Sequence, residues 1–346
     1  MIAAESAVQR PSDAKLLVVD SERHIIHVPR SAFVDFLRPN DLVIANDAAT
    51  LPASLSGVHE QTGRPIEVRL AGRPSLDPND IKRFSAVVFG EGDFHTRTED
   101  RPLPPIVQRG DTLLLGPLRA TIEGLLDHPR LVSLLFAGTP DEVWAGLASH
   151  GRPIQYSHVQ TGLELWDVWT RIAGLPVAFE PPSAGFVLDW HVLTTIREHG
   201  ANFATITHAA GISSTGDEDL YHLLPFDEPY RIPATTAQAV ELTRQRGGRV
   251  IAVGTTAVRA LEAAATENGH LRTGEGVAKG RIGPSTRLRV VDAILSGTHE
   301  PGTSHYELLR AFLEDSTLRR ATEELDTHGY KTHEFGDSVL ILSVVS

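Results

Sequence analysis

Residues 249–265 join a short apolar run, a glycine–threonine turn and an alanine-rich stretch. This pattern predicts a buried strand that ends at Gly254 and a helix that begins near Thr256. The first N–H groups of such a helix lack partners, so they can bind a carboxylate, a phosphate or ribose hydroxyls. Arg259, one turn into the helix, would add a cation there. Any strand–helix unit needs a similar turn, so a purely structural role stays open.

Sixteen histidines are many for this length, and two of them stand where they could transfer protons. His208 ends a predicted strand and precedes a loop of small residues, and His299 lies in another loop. An imidazole with a pKa near its ordinary value of ~6.5 can give or accept a proton at neutral pH. A surface or structural role is the competing interpretation for each. Residues 46–47 end a predicted strand, residues 181–185 form a tight turn of small residues, and residues 335–337 precede the last strand. Turn formation alone can explain each of them.

Several kinds of chemistry are excluded by motifs that the sequence lacks. The turn after Gly254 has no Lys-Ser/Thr ending of a phosphate-binding loop, and the glycines of residues 274–280 are out of register for dinucleotide binding. No Gly-x-Ser-x-Gly elbow and no His-Glu-x-x-His pair is present, and Pro301 separates His299 from His305. Cysteine is absent. We therefore expect no nicotinamide or nucleoside triphosphate, no serine or cysteine nucleophile, and no metal.

The elements that must position these residues follow two kinds of pattern. Between Gly57 and Gly151, short strand-like stretches alternate with turn residues, which is typical of a small antiparallel sheet or barrel. From about Leu163 onward, strand and helix patterns alternate, which indicates a sheet covered by helices. We predict an α/β fold, a mixed sheet flanked by helices, with an inserted small antiparallel β-barrel-like domain. The predicted division is residues 1–57 with 152–346 for the α/β domain and 58–151 for the inserted domain.

Individual elements are predicted from the same patterns. In the α/β part we expect a hairpin of residues 15–20 and 24–28, strands at 41–47, 202–208 and 249–253, and helices at 189–200, 235–247 and 256–268. In the inserted part we expect strands at 66–70, 85–89, 112–115 and 131–135.

Composition limits the partners and the compartment. The chain has 346 residues, 41% of them apolar, which suits about two domains with real cores. Its net charge is −12, so it could bind nucleic acid only through a local basic patch. Two such clusters are Arg64, Arg69, Arg73, Lys82 and Arg83, and Lys279, Arg281, Arg287 and Arg289. No run of apolar residues approaches the ~18 needed to span a membrane, and no secretory signal is visible, so we expect a cytoplasmic protein.

Taken in order, these segments resemble one family, the S-adenosylmethionine:tRNA ribosyltransferase-isomerases of queuosine synthesis, known as QueA. The likeness covers nearly the whole chain. It is closest at residues 249–265, where only Ala257 departs from the family's Val-Ile-Ala-Val-Gly-Thr-Thr-Ser-Val-Arg-x-Leu-Glu run. Other matching stretches are residues 41–55, 62–67, 182–185, 207–208, 291–292, 299–301 and 330–337.

The resemblance implies an enzyme that transfers the ribosyl group of S-adenosylmethionine to a 7-deazaguanine base in tRNA and rearranges it, releasing adenine and methionine. A sulfonium acidifies the neighbouring 5′ carbon, so one positioned base can generate an ylide there, and oriented polar contacts then steer ring opening. By family position, the proton-transfer candidates are His208, Asp47 and His299. The residues that would bind S-adenosylmethionine are Asn46, Pro182, Ser183, Ala184, Gly185, Gly254, Thr255, Thr256, Arg259, Glu262 and Asp337.

Departures from the family pattern concern the acceptor. The family's Asn-Asp-Thr-Arg and Pro-Ala-Arg-Leu lose their arginines here to Ala49 and Ser54, and its His-Leu-Pro-Lys loses its lysine to Gly302. Cations of this kind hold phosphates. Two alternatives therefore stay open: a lyase, cyclase or small-molecule transferase acting on S-adenosylmethionine without tRNA, and a binding protein without activity.

Overall fold

A computed structural model describes residues 1–212, 215 and 217–342. Within them the strands are β1 (Ile2–Ala3), β2 (Lys15–Val19), β3 (Ile25–Pro29), β4 (Leu42–Asn46), β5 (Ala49–Thr50), β6 (Ser54–His59), β7 (Pro65–Gly72), β8 (Arg83–Phe89), β9 (Thr112–Leu115), β10 (Leu118–Leu125), β11 (Leu131–Phe136), β12 (Pro176–Ala178), β13 (Asn202–His208), β14 (Glu228–Ile232), β15 (Val250–Val253), β16 (Gly274–Ala278), β17 (Ala293–Gly297), β18 (Lys331–Thr332) and β19 (Ser338–Leu342). The helices are α1 (Pro140–His150), α2 (Leu165–Val168), α3 (Trp190–Glu198), α4 (Glu218–Tyr221), α5 (Ala234–Gln245), α6 (Thr255–Ala264), α7 (Ser304–Leu309) and α8 (Asp315–Thr327). Short 3-10 segments cover Arg30–Phe36, Thr98–Asp100 and Ser183–Val187.

The larger part of the fold is a nine-stranded mixed sheet in the order β16-β14-β13-β4-β15-β17-β19-β2-β3. Strands β13, β4, β15 and β17 run parallel at its centre. Their side chains alternate between two buried cores. Leu42 and Ile44 face the core shared with α5, α6 and α8, whereas Val43 and Ala45 face the core shared with α3 and Arg30–Phe36. Burial on both faces explains why these strands are almost continuously apolar.

The smaller part is a closed antiparallel barrel in the order β10-β11-β8-β7-β6-β9. Strand β6 pairs with both β7 and β9, so the ring closes and leaves no unpaired edge. The barrel lies between β5 and β12 in the chain. The predicted fold class, a mixed sheet with helices and a small antiparallel barrel, is confirmed. Its division at residues 57/58 and 151/152 stays a prediction, and β6 begins at Ser54.

Two predicted helices have different ends. Helix α6 stops at Ala264 rather than Asn268, because Thr266 and His270 pair in a tight turn and Gly269 donates to the Thr266 carbonyl. Helix α5 begins at Ala234, after Pro233, and has no side-chain cap. The hydroxyl of Thr236, near the predicted start of this helix, instead donates to the Thr205 carbonyl on β13. In both cases a turn or a tertiary contact uses the group that local propensity assigns to the helix end.

The helices among the described residues are too short or too polar for any of them to cross a lipid bilayer.

Candidate functional site

A cavity of about 100 Å³, which opens to solvent, lies at the carboxyl ends of β13, β15 and β17. Ligands in sheets with parallel strands commonly bind at this edge, where the connecting loops diverge. The cavity is lined by residues 180–184, 210–212, 224–225, Glu228, 254–256, Arg259, 281–282, 296–297, His299, 304–305 and Leu308. Three further residues of the small-residue loop after His208, Ser213, Ser214 and Gly216, lie outside the described residues.

The turn from β15 into α6 forms one wall. Gly254 has a φ of +88°, in the left-handed region that glycine tolerates, and a Cβ added there would lie 3.3 Å from Cβ of Ala184. Helix α6 has no side-chain N-cap, so its first N–H groups, at Thr255 and Thr256, are available beside the cavity. This wall can bind a carboxylate or ribose hydroxyls.

Glu228 on β14 contacts two basic side chains next to this turn, those of Arg259 and His208. Its Oε2 accepts from Nε of Arg259 at 2.9 Å and lies 3.2 Å from Nε2 of His208, and its Oε1 accepts from the Gly211 N–H at 2.7 Å. Burial alone would raise the pKa of Glu228, but His208 and Arg259 lower it from 4.5 to about 2. The carboxylate is therefore ionised at neutral pH.

Arg259 keeps a donor free. Its Nη1 donates to the Gly280 carbonyl at 2.7 Å, whereas Nη2 is buried and has no hydrogen-bond partner among the described residues. A buried donor without a partner is costly, and an acceptor on a bound molecule would remove that cost. Arg259 can therefore hold a carboxylate or hydroxyl in the cavity.

Two more imidazoles, His299 and His305, line the cavity. His299 has Nε2 2.8 Å from Oγ of Ser296, and its ring centroid lies 4.9 Å from that of His305. Burial, and then the neighbouring His305 and His333, lower the pKa of His299 well below its ordinary value. Burial also lowers the pKa of His305. Both rings are therefore neutral at pH 7 and can accept a proton.

Asn46, the last residue of β4, is hydrogen-bonded to two residues of the site. Its amide donates to the His208 carbonyl at 3.0 Å and to Oγ1 of Thr256 at 3.4 Å, and it accepts from the His208 N–H at 2.9 Å. These bonds align the ends of β13 and α6, although Asn46 does not line the cavity. It acts on a bound molecule through its two neighbours.

The structure brings most of the predicted site residues together, but not all. His299, Pro182, Ser183, Ala184, Gly254, Thr255, Thr256 and Arg259 line the cavity, and His208 and Asn46 lie directly behind it. The others lie elsewhere. Gly185 packs against Thr170, Asp47 accepts from the Thr207 hydroxyl at 2.7 Å, Glu262 accepts from the backbone N–H groups of residues 289–291, and Asp337 accepts from those of Lys15 and Lys331.

Glu228 and His305 are among the cavity residues that sequence reasoning missed. The signal for Glu228 is weak, because β14 is a short strand that begins with the charged residue itself. His305 was considered only as a possible metal partner of His299. Glu180, which accepts from the Tyr156 hydroxyl, was missed as well. None of these positions is distinguished by local spacing, since the tertiary fold brings them to the cavity.

The expectation of no metal is not tested by the fold. Within the described residues, two groups have ligand atoms within 4.8 Å of one another: His27 with Glu324 and His328, and His158 with His333 and Glu334. The first is largely exposed. The second lies beyond the cavity wall, where Glu334 and His158 pair at 3.2 Å.

The comparisons with known proteins point to one family. The model of the family described as queuosine biosynthesis protein matches residues 1–341. S-adenosylmethionine:tRNA ribosyltransferase-isomerase from Synechococcus elongatus is 30% identical, covering 98% of this chain and 92% of the relative. The protein of the same name from Trichlorobacter lovleyi is 31% identical, covering 99% and 96%.

A crystal structure of S-adenosylmethionine tRNA ribosyltransferase from Thermotoga maritima has a similar fold. It aligns with a TM-score of 0.52 at 23% identity, over 99% of this chain and 96% of that chain. The family model spans nearly the whole sequence, and relatives with about 30% sequence identity align with almost all of it. The chain therefore belongs to the queuosine biosynthesis protein family.

Proposed function

We propose that the protein binds S-adenosylmethionine in the cavity and transfers its ribosyl group to a 7-deazaguanine base in tRNA, as the names of its relatives suggest. One observation carries the proposal: the uncapped start of α6, the Arg259–Glu228 pair and two neutral imidazoles meet in a single cavity. Together these supply anion binding, negative charge and proton acceptors within reach of one small molecule.

The residues suit the parts of S-adenosylmethionine. Arg259 and the α6 N-terminus match the methionine carboxylate or the ribose hydroxyls. The carboxylate of Glu228 favours a nearby sulfonium cation, and apolar side chains such as Ile212, Leu224 and Leu308 can cover the adenine ring. When bound, the sulfonium supplies the acidity of the 5′ carbon. The side chains of the protein orient it and accept the proton.

The basic residues near the cavity favour an RNA acceptor. Arg281 lines the cavity, and Arg287 and Arg289 are exposed on the segment that follows. The other predicted cluster, around residues 64–83, does not form a continuous basic surface, because Arg69 and Arg73 are buried within the barrel part. Phosphate binding therefore depends on the cluster of residues 279–289.

A second function is favoured by the residues that replace cations. Ala49 is buried, and the hydroxyl of Ser54 donates to Glu67 inside the protein, so neither position offers a group to a phosphate. With a net charge of −12, this supports an enzyme that cleaves or cyclises S-adenosylmethionine, or transfers its ribosyl group to a small molecule.

Product analysis separates these functions. The protein is incubated with S-adenosylmethionine, with and without tRNA that carries the modified precursor base, and adenine and methionine are measured by mass spectrometry. Their release only with tRNA supports ribosyl transfer to tRNA, and their release without tRNA supports the second function. Binding without products identifies an inactive binding protein. Calorimetry that detects no binding of S-adenosylmethionine contradicts both enzymatic functions.

A further inference from the structure

The three imidazoles at the site differ in whether they can reach a bound molecule. His208 is fully buried and does not line the cavity, and its Nε2 lies 3.2 Å from Glu228. His208 contacts the cavity lining through Glu228 and, by way of Asn46, through Thr256.

His299 reaches the cavity, but one of its nitrogens is already engaged. Its Nε2 lies 2.8 Å from the hydroxyl of Ser296, near the carboxyl end of β17. This bond fixes the ring against the end of β17. A ring held in this way orients its neighbours better than it moves towards a substrate.

His305 is the third imidazole, and its ring is unengaged. It lines the cavity from the first turn of α7, whose backbone is fixed by the Thr303 side chain accepting from the Tyr306 N–H at 3.2 Å. Within the described part of the chain, the ring contacts His299 and makes no hydrogen bond or ion pair. The ring is half-buried and lines the cavity, so its nitrogens are available to a bound molecule.

The surrounding charges suit a proton acceptor. Burial lowers the pKa of His305, so the ring has a free lone pair at neutral pH, while Glu228 and Glu334 act on it to raise the pKa and Arg259 acts to lower it. A neutral base avoids repulsion of a sulfonium cation before proton transfer. Glu228 then offsets the charge of the imidazolium that forms.

We propose that His305 is the catalytic base that removes a proton from the 5′ carbon of S-adenosylmethionine, an inference that rests on the proposed function. The proton moves from the 5′ carbon to the free ring nitrogen of His305. The electron pair of the broken C–H bond stays on carbon beside the sulfonium, and nothing is oxidised or reduced. His299, whose ring centroid lies 4.9 Å from that of His305, is a positioning residue for this ring.

Two measurements on the full chain test this role. In heavy water, reversible proton removal should place deuterium at the 5′ carbon of S-adenosylmethionine or of its products, as seen by NMR. We expect the His305→Asn variant to lose this exchange by about 100-fold or more while it keeps its affinity for S-adenosylmethionine in calorimetry. Added imidazole should partly restore exchange in His305→Ala. The matched control is His191→Asn, at an exposed histidine of α3, which should exchange like the wild type.

The second measurement does not depend on turnover. Diethyl pyrocarbonate modifies neutral imidazoles, and peptide mass spectrometry should show His305 modified in the free protein and protected when S-adenosylmethionine is bound. Exchange that survives in His305→Asn, or modification that S-adenosylmethionine does not reduce, overturns the role of His305 alone. A wild-type protein that does not bind S-adenosylmethionine overturns both this role and the proposed function. His305→Gln repeats the test if His305→Asn melts at a lower temperature.

Discussion

Replacing Glu228 by glutamine removes the charge that holds Arg259 and His208 together while it keeps the size of the side chain. The lowering of the pKa of Glu228 from 4.5 to about 2 corresponds to about 3 kcal/mol of stabilisation on folding. Breaking a buried ion pair by removing one partner costs about 3–5 kcal/mol. We therefore expect E228Q to lower the free energy of unfolding by about 3 kcal/mol at neutral pH.

The stabilisation by Glu228 should depend on pH in a direction that follows from its lowered pKa. The folded pKa is below the unfolded one, so the stabilisation is complete above pH 4.5 and is lost as the pH falls towards 2. Urea unfolding, followed by circular dichroism at about pH 7, 5.5 and 4, should give equal differences between wild type and E228Q at the two higher values and a smaller one at the lowest.

The matched control is E275Q. Glu275 is exposed and pairs across the sheet with Arg231 on β14, so its replacement should change the free energy of unfolding by at most about 1 kcal/mol. If E228Q is as stable as this control at pH 7, or if its deficit grows as the pH falls, Glu228 is not an ionised partner of Arg259 and the reasoning fails.

Three further predictions concern the cavity and its rim. Gly254→Ala should cost about 1–2 kcal/mol of stability and weaken binding of S-adenosylmethionine in calorimetry, because φ is +88° and Ala184 lies close, whereas Gly283→Ala, with open space around it, should change neither. Asn46→Ala should lower the free energy of unfolding by about 1–3 kcal/mol, since it leaves the His208 N–H and carbonyl without their side-chain partner, and Asn79→Ala on the surface serves as its control in the same urea titration. The double variant R287A/R289A should weaken tRNA binding in filter assays and reduce the salt dependence of that binding by about two charges, without changing the affinity for S-adenosylmethionine. The control is Arg64→Ala, at an exposed residue of the barrel part. An equal loss of tRNA binding in this control would contradict a specific RNA-binding cluster.

The fold was largely predictable because its signals are local. Strands β13 and β9 have the predicted bounds, and the β2–β3 hairpin forms where expected, since apolar runs between turn residues leave few alternatives. Strands β6 and β10 were missed. Both carry small or charged residues, so their own β-propensity is weak. They are stabilised by pairing with neighbouring strands in the closed barrel.

The candidate site was predictable only in part. Gly254 and Arg259 were found because a strand, a glycine turn and a helix leave a recognisable pattern within one short segment. Asp47, Glu262 and Asp337 were included by family position, and their carboxylates bond to groups away from the cavity. A carboxylate at a strand end can bind a ligand or complete a turn, and the spacing of residues does not distinguish these uses.

By itself, then, the sequence determined the alternation of strands and helices, the glycine turn at the start of α6, and the absence of any cysteine chemistry. Only the tertiary structure decided that Glu228 on β14 meets Arg259 and His208, and that His305 lines the same cavity beside His299. The physical reason is that charge pairing and desolvation depend on contacts between residues far apart in the chain. Hydrophobic periodicity records which face of an element is buried, but not which polar group it will meet there.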